Sequence, residues 1–248
     1  MTLEALFRAV AEGTLRPDAA VEAARGLGSA HFDFAHLDLD RPRRTGDPEV
    51  VFGENKSAEQ VAVLLQRIHD AGQPALATRI DADKGAAVCA RVPTAVYDPI
   101  SRTAVIPRPS SAPGLGHIAV VCAGTSDLPV AEEAAVTAEL FGSRVERHID
   151  IGVAGLHRLL SRLDAIREAR VIIAVAGMEG ALPTVLSGLV AAPVIAVPTS
   201  VGYGAHLHGI TPMLGMLTAC APGMSVVNID NGFGAAVVAH RINRLGAP

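Results

Sequence analysis

The chain has 248 residues, half of them apolar, only 19% charged and 3% aromatic, with no Trp and a formal net charge of −4. That length suits one large or two small domains with a sizeable core, here built from Ala, Val, Leu and Ile. The acidic balance argues against a nucleic-acid-binding surface, and three scattered cysteines, Cys89, Cys122 and Cys220, are too few for a disulfide framework or a zinc site.

From the amino end, Thr2 to Gly26 reads as helical, with a break at Gly13 and a restart at Pro17-Asp18. HFDFAHLDLD (31–40) alternates as a strand does, a loop follows, and EVVFG (49–53) is a short strand. Ser57 with Gln60 three residues on is a capping-box signature for a helix through about Asp70. ALATRI (75–80) reads as a strand, and TAVYDPISRTAVI (94–106) as a hairpin turning at Asp98-Pro99. This gives a small α/β domain over 1–107. Residues 108–116, rich in Pro, Ser and Gly, read as a linker. The second domain, 117–248, repeats strand, Gly loop and helix four times: HIAVVCAGTSDLPV, RVIIAVAGMEGALP, APVIAVPTSVGYG and MSVVNIDNGFGAAVV. Apolar strands bounded by Gly and Ser turns and followed by helices predict a parallel sheet covered on both faces, in a flavodoxin-like domain. Ligands bind outside the carboxyl ends of such strands.

The loops there carry the chemistry. Gly124-Thr125-Ser126-Asp127 opens a helix, where Ser or Asp serves as a cap and where free N–H groups can equally hold a phosphate. His157-Arg158 stands at a helix start after Gly155. Glu179 lies between an apolar strand and a helix with Pro183 in its first turn; a carboxylate at the mouth of an apolar crevice is expected to have its pKa raised by desolvation, as a general acid or base requires. Cys89 and Cys122 sit in apolar runs and read as buried small hydrophobes, whereas Cys220 precedes Ala221-Pro222-Gly223 at a chain reversal. His206 and His208 have the spacing of one strand face but no third ligand nearby, so they read as loop residues near a substrate. Asp81, Asp83 and Lys84 read as a solvated helix start.

The stretch from Gly124-Thr125-Ser126-Asp127 through AGLHR (154–158), AVAG with LP (174–183), PVIAVP (193–198) and SVVNIDNGFGAA resembles the phosphoribosylaminoimidazole carboxylases. Three details are closer to a paralogous family, the pyridinium-3,5-biscarboxylic acid mononucleotide synthases of nickel-pincer (lactate racemase) cofactor synthesis. These are GMEGALP where the purine enzymes carry a His-containing loop, Cys220 in TACAPGMSVV, and the N-terminal domain with LDLDRPRRTGDPEVVFGENKSAEQ (37–60). The resemblance implies carboxylation of the pyridinium ring of nicotinic acid adenine dinucleotide by CO2 or bicarbonate, then hydrolysis of the phosphoanhydride to release AMP. It implies Cys220 as ring nucleophile and Glu179 as acid/base or orienting carboxylate. Asp127 would stand beside the ring or a cation. Gly124, Thr125 and Ser126 would form the nucleotide loop, with His157, Arg158, Tyr203 and Asn231 as further substrate contacts. A pyridinium ring is too electron-poor to attack CO2, and a thiolate adduct makes it an enamine; an aminoimidazole needs no such thiol.

Magnesium is the expected divalent cation, without assigned ligands, and no organic cofactor is expected because the dinucleotide is the substrate. The high apolar fraction and the resemblance together predict a homo-oligomer, an octamer by family. Acidic residues within Met1–Ala11 and apolar runs too short for a bilayer predict a cytoplasmic protein. Two alternatives are a phosphoribosylaminoimidazole carboxylase proper and a non-catalytic nucleotide-binding module on the same fold.

Overall fold

A computed structural model describes residues 3–107 and 114–245. Helices α1 (Leu3–Ala11) and α2 (Pro17–Leu27) stand where the sequence broke at Gly13 and restarted at Pro17. The alternating segment after them is a tight hairpin of two strands, β1 (Ala30–Phe32) and β2 (Ala35–Leu37), rather than a single strand. The basic stretch read as loop contains a short helix, α3 (Arg41–Thr45). Pro42 sits in its first turn, where no N–H is needed, and Gly46 closes it in the left-handed region at φ 82°.

Strand β3 (Val51–Phe52), helix α4 (Ala58–Asp70), strand β4 (Ala75–Thr78), helix α5 (Ala82–Arg91) and the hairpin β5 (Val96–Asp98) and β6 (Thr103–Ile106) complete the first unit. Both halves of the α4 capping box form: the Gln60 N–H donates to Ser57 Oγ at 3.2 Å and the Ser57 N–H to Gln60 Oε1 at 2.9 Å. These strands make a four-stranded sheet in the order β3-β4-β6-β5. Val61, Leu64, Leu65 and Ile68 of α4 and Val88 of α5 pack on Ala75, Ala77, Ala104 and Ile106. Asp81 caps α5 through the Lys84 N–H, and the Lys84 ammonium binds the Gly53 and Glu54 carbonyls, so this helix start is structural.

The second unit begins with β7 (Leu115–Cys122). Leu115 and Gly116, read as the end of the linker, belong to that strand, and residues 108–113 of the expected linker lie outside the described residues. Helix α6 (Leu128–Leu140), strand β8 (Ser143–His148), short helices α7 (Leu156–Leu160) and α8 (Leu163–Arg167), strand β9 (Val171–Ala176), helix α9 (Ala181–Ser187), strand β10 (Val194–Pro198), helix α10 (Ile210–Leu217), strand β11 (Met224–Val226) and helix α11 (Gly232–Leu245) follow. All five strands are parallel, in the order β11-β10-β9-β7-β8, which is the flavodoxin-like order.

Strand alternation splits the core in two. Ile118, Val120 and Cys122 face the small residues Ala131, Ala134, Ala135 and Ala138 of α6 and Ala235, Ala236 and Ala239 of α11. Ala119 and Val121 face Leu159, Ile166, Leu182, Leu186 and Met216 on the other side. The two units meet through polar ties to α11. Arg241 Nε donates to Asp47 Oδ2 at 2.7 Å and Arg244 Nη1 to the Gly46 carbonyl at 2.9 Å, so the C-cap of α3 is what presents this contact. Among the described residues, no helix is long and apolar enough to cross a membrane.

Candidate active site

The strand order reverses between β7 and β9, and a crevice of about 480 Å³ opens over the carboxyl ends of the strands there. The loops that follow four strands supply its wall: Gly124, Ser126 and Asp127 after β7, Asp150 and Gly152 after β8, Gly177 to Glu179 after β9, and Val201 to Tyr203 after β10. Gly177 lets three of these loops converge. A Cβ there would stand 2.6 Å from Thr199 Oγ1 and 3.0 Å from Asp127 Oδ1 and would collide with the Val201 carbonyl. The same convergence lets the Met178 N–H donate to the Val201 carbonyl at 2.8 Å.

Asp127 is the buried acid of the crevice, 4% exposed, at the turn that leads into α6. Its Oδ1 accepts the Thr199 hydroxyl at 2.6 Å and its Oδ2 the Gly124 N–H at 3.1 Å. Burial pushes its pKa up from the ordinary 3.8; the Thr199 hydroxyl and the Gly124 and Gly177 N–H groups pull the other way, and burial wins. The sequence placed the desolvated carboxylate at Glu179. Glu179 lines the crevice but is exposed, so the burial falls on Asp127 instead. Met178 (φ 51°) and Gly180 (φ 70°) flank Glu179 with left-handed backbone and turn the chain sharply over α9.

Of the other expected residues, Gly124, Ser126, Arg158 and Tyr203 line the crevice, Tyr203 at its rim and 81% exposed. Arg158 Nη1 binds Asp150 Oδ2 at 2.7 Å. Thr125 and His157 are exposed and lie outside the lining. Asn231 caps α11 by accepting the Gly234 N–H at 2.8 Å and does not line the crevice. His206 and His208 lie on a kinked 3-10 segment (Gly204–Gly209), not on a strand. His206 is buried with Nδ1 accepting the Gly209 N–H at 3.2 Å, while His208 is exposed, and neither lines the crevice.

Cys220 is exposed, at the reversal between α10 and β11. It precedes the amino end of β11, whereas the crevice lies over the carboxyl ends, and it does not line the crevice with Asp127 and Glu179. Cys122 is buried, its thiol pushed up to about 12 by burial and next by the Asp127 charge. It donates to the Gly124 carbonyl at 3.0 Å and packs as the sequence suggested. Among the described residues no group of three or more His, Cys, Asp or Glu side chains is placed to hold a metal ion.

Asp150 carries no signal in the sequence, and Thr199 stands in a strand-end loop with no role assigned to it. Asp150 follows β8, whose polar residues Arg144, Glu146 and Arg147 hide the strand from an apolar-run reading. Thr199 carried a signal, a hydroxyl directly after an apolar strand, but its Asp127 partner is 72 residues away.

A parallel flavodoxin-like sheet, with an acid-bearing crevice at its switch point and a Gly loop leading into a helix, defines an α/β protein suited to a nucleotide-type substrate. Residues 117–248 match the AIR carboxylase family, and residues 29–108 match the LarB/PurE-like N-terminal domain. The chain therefore belongs to the AIR carboxylase family and, by its N-terminal region, to the LarB type within it. It is 42% identical, over 84% of each chain, to an uncharacterized protein of Methanocaldococcus jannaschii. It is also similar to the N5-carboxyaminoimidazole ribonucleotide mutases of that organism (35% identical over 50% of this chain and 77% of the relative) and of Pyrococcus abyssi (34% over 54% and 78%).

Proposed function

We propose that this carboxylase-family protein carboxylates the pyridinium ring of nicotinic acid adenine dinucleotide and then hydrolyses the phosphoanhydride, releasing AMP and pyridinium-3,5-biscarboxylic acid mononucleotide. The observation that carries the reading is the crevice itself. A buried carboxyl with a raised pKa, Asp127, and an exposed carboxylate, Glu179, line one pocket with the Gly124–Ser126 loop. The N-terminal region of LarB type and the exposed thiol of Cys220 support this chemistry over that of the purine relatives.

In the proposed mechanism the Cys220 thiolate adds to the ring, turning the pyridinium cation into a neutral dihydropyridine. Its enamine carbon forms the new bond to CO2. A crevice carboxylate, Glu179 or Asp127, takes the proton from that carbon, and expulsion of the thiolate restores the aromatic ring. Water then cleaves the phosphoanhydride. The Cys220 that serves a crevice belongs in this proposal to a neighbouring copy of the chain. Leu207, Ile210, Leu214 and Leu217 are exposed along the path from the crevice rim to Cys220 and would be covered in such an assembly, an octamer by family. The crevice acids do not form a metal cage: Asp127 is engaged by Thr199 and Gly124, and Asp150 by Arg158. A magnesium ion would arrive on the pyrophosphate and neutralise part of its charge.

The name of two relatives supports a second reading, action on N5-carboxyaminoimidazole ribonucleotide. One experiment separates the two. The protein is mixed with bicarbonate, magnesium and either nicotinic acid adenine dinucleotide or N5-carboxyaminoimidazole ribonucleotide, and products are separated by chromatography and read by mass spectrometry. Carboxylated mononucleotide with AMP from the first mixture supports the proposal, and turnover of only the second replaces it.

A further inference from the structure

We infer a second anion subsite, built by Arg79 and Arg102 of the N-terminal unit against Ser126 and Ser200, that takes the phosphate-linked adenylate half of the dinucleotide; this rests on the function proposed above. The crevice cannot hold a pyrophosphate by charge alone. It carries three carboxyl groups, Asp127, Asp150 and Glu179, against one guanidinium, Arg158, which Asp150 already binds. Two further guanidinium groups stand next door, one of them without an ion-pair partner among the described residues. A cavity of about 200 Å³ shares Ser126 and Val201 with the crevice and is walled on its far side by Arg79, Ser101 and Arg102.

The two arginines are held together by the N-terminal sheet. Arg79 leaves β4 and Arg102 leads into β6, neighbouring strands, and the Ile80 N–H donates to the Arg102 carbonyl at 2.8 Å. Both have left-handed backbone, φ 57° and 54°, a conformation uncommon outside glycine that marks sites held by their surroundings. Arg79 is half-buried and fixed: its Nη2 donates to the Asp230 carbonyl and its Nε lies 3.8 Å from Glu133 Oε1. Arg102 is exposed, and among the described residues its guanidinium has no hydrogen-bond or ion-pair partner.

Two acids also line the cavity, and backbone donors engage both. Glu133 is 5% exposed and accepts the Phe233 N–H at 3.1 Å; burial raises its pKa, opposed by the Arg79 charge, by the backbone N–H groups of Phe233 and Gly232 and, least, by the Arg102 charge. Asp230 Oδ1 accepts the Ser200 N–H at 2.7 Å. The Arg102 fork and the exposed Ser126 and Ser200 hydroxyls are left for a ligand, and a guanidinium fork matches phosphate oxygens in pairs. A dinucleotide with its pyridine ring in the crevice would pass its phosphates over the Ser126 ridge onto these groups.

The test uses Arg102→Gln in the full chain, with thermal melting to confirm an unchanged fold. Three probes are titrated by calorimetry: nicotinic acid adenine dinucleotide, nicotinic acid mononucleotide and inorganic pyrophosphate. The wild-type protein is expected to bind the dinucleotide more tightly than the mononucleotide. Arg102→Gln is expected to weaken the dinucleotide and pyrophosphate by about tenfold and to erase that preference. An unchanged preference in the variant, or none in the wild type, overturns the subsite and leaves the pyridine reading standing. Arg102-dependent binding of pyrophosphate without binding of either pyridine nucleotide sinks the pyridine reading and keeps an anion site. Failure of all three probes to bind overturns both.

Discussion

Asp127 and Glu179 line one crevice in opposite states, one buried and hydrogen-bonded, the other open to solvent. The folded pKa of Asp127 is raised, so its basic form grows as pH rises through a value above the ordinary 3.8. If it takes the ring proton, kcat/KM should climb with pH across that window, and Asp127→Asn should abolish the climb. A pH profile with the same acid limb in the variant would remove Asp127 from proton transfer. Glu179→Gln keeps size and loses the charge; turnover is expected to fall on the order of a hundredfold with the fold intact. Near wild-type turnover would reduce Glu179 to a wall residue. Glycine-flanked loops directly after apolar strands made Gly124, Ser126, Asp127 and Glu179 legible in the sequence. Burial was not legible, because it depends on which loops close over a residue. Gly177 brings the Thr199 loop onto Asp127, whereas α10 packs on the backbone of the Glu179 turn through Gly180 and Gly215 and leaves the Glu179 side chain exposed. Arg79 and Arg102 escaped notice for a related reason: the residues that face them across the cavity, Ser126, Glu133 and Asp230, come from the other unit of the chain.

Local signals determined most elements. The Ser57-Gln60 box starts α4, Asp81 caps α5, and the apolar runs became β7, β9 and β10. Strand β8 and helix α3 are the instructive exceptions. Strand β8 is at the sheet edge, where one side faces solvent, and its charges mask a strand pattern. Helix α3 is five residues held by a first-turn Pro and a terminal Gly, too short to show a helical period. Strand β8 also ends in a buried histidine, His148, whose pKa is lowered by burial; the nearby Glu146 carboxylate opposes this, and Arg162 and His117 add to it. In α11, burial likewise lowers His240, assisted by Arg244 and Arg241 and opposed by Asp47. The sign follows from linkage. Below the unfolded value of about 6.5 the unfolded chain takes protons that the folded chain resists, so the stability these residues contribute is present above that pH and is lost as pH falls toward their folded values. The Tm should drop between pH 7.5 and 5.5, and His148→Gln should flatten part of the drop. An identical pH dependence in the variant would assign acid sensitivity elsewhere.

At the scale of the whole molecule, the separation of Cys220 from the crevice turns the covalent mechanism into a statement about assembly. Strands β10 and β11 are parallel, so Cys220, ahead of β11, belongs to the amino edge of the sheet, and the acids stand at the carboxyl edge. Helix α10 joins the two edges and leaves Ile210, Leu214 and Leu217 exposed, with Leu207 just before it. A chain half apolar in composition buries such side chains most readily against a second copy. If each crevice takes its thiol from a neighbour, Cys220→Ala and Glu179→Gln damage different halves of a shared site. Each variant alone should make little carboxylated product. Oligomers assembled from both, by co-expression or by unfolding and refolding together, should contain some sites with an intact Cys220 and an intact Glu179, and product formation should return to roughly a quarter of wild type if subunits mix at random. A double variant mixed with wild type controls for simple dilution. No recovery in verified mixed oligomers would mean that thiol and carboxylate act within one chain, and the loop between α10 and β11 would then have to move to the opposite edge of the sheet. Full activity of Cys220→Ala on its own would end the covalent mechanism and leave the purine-type chemistry, which needs no thiol, as the reading of this crevice.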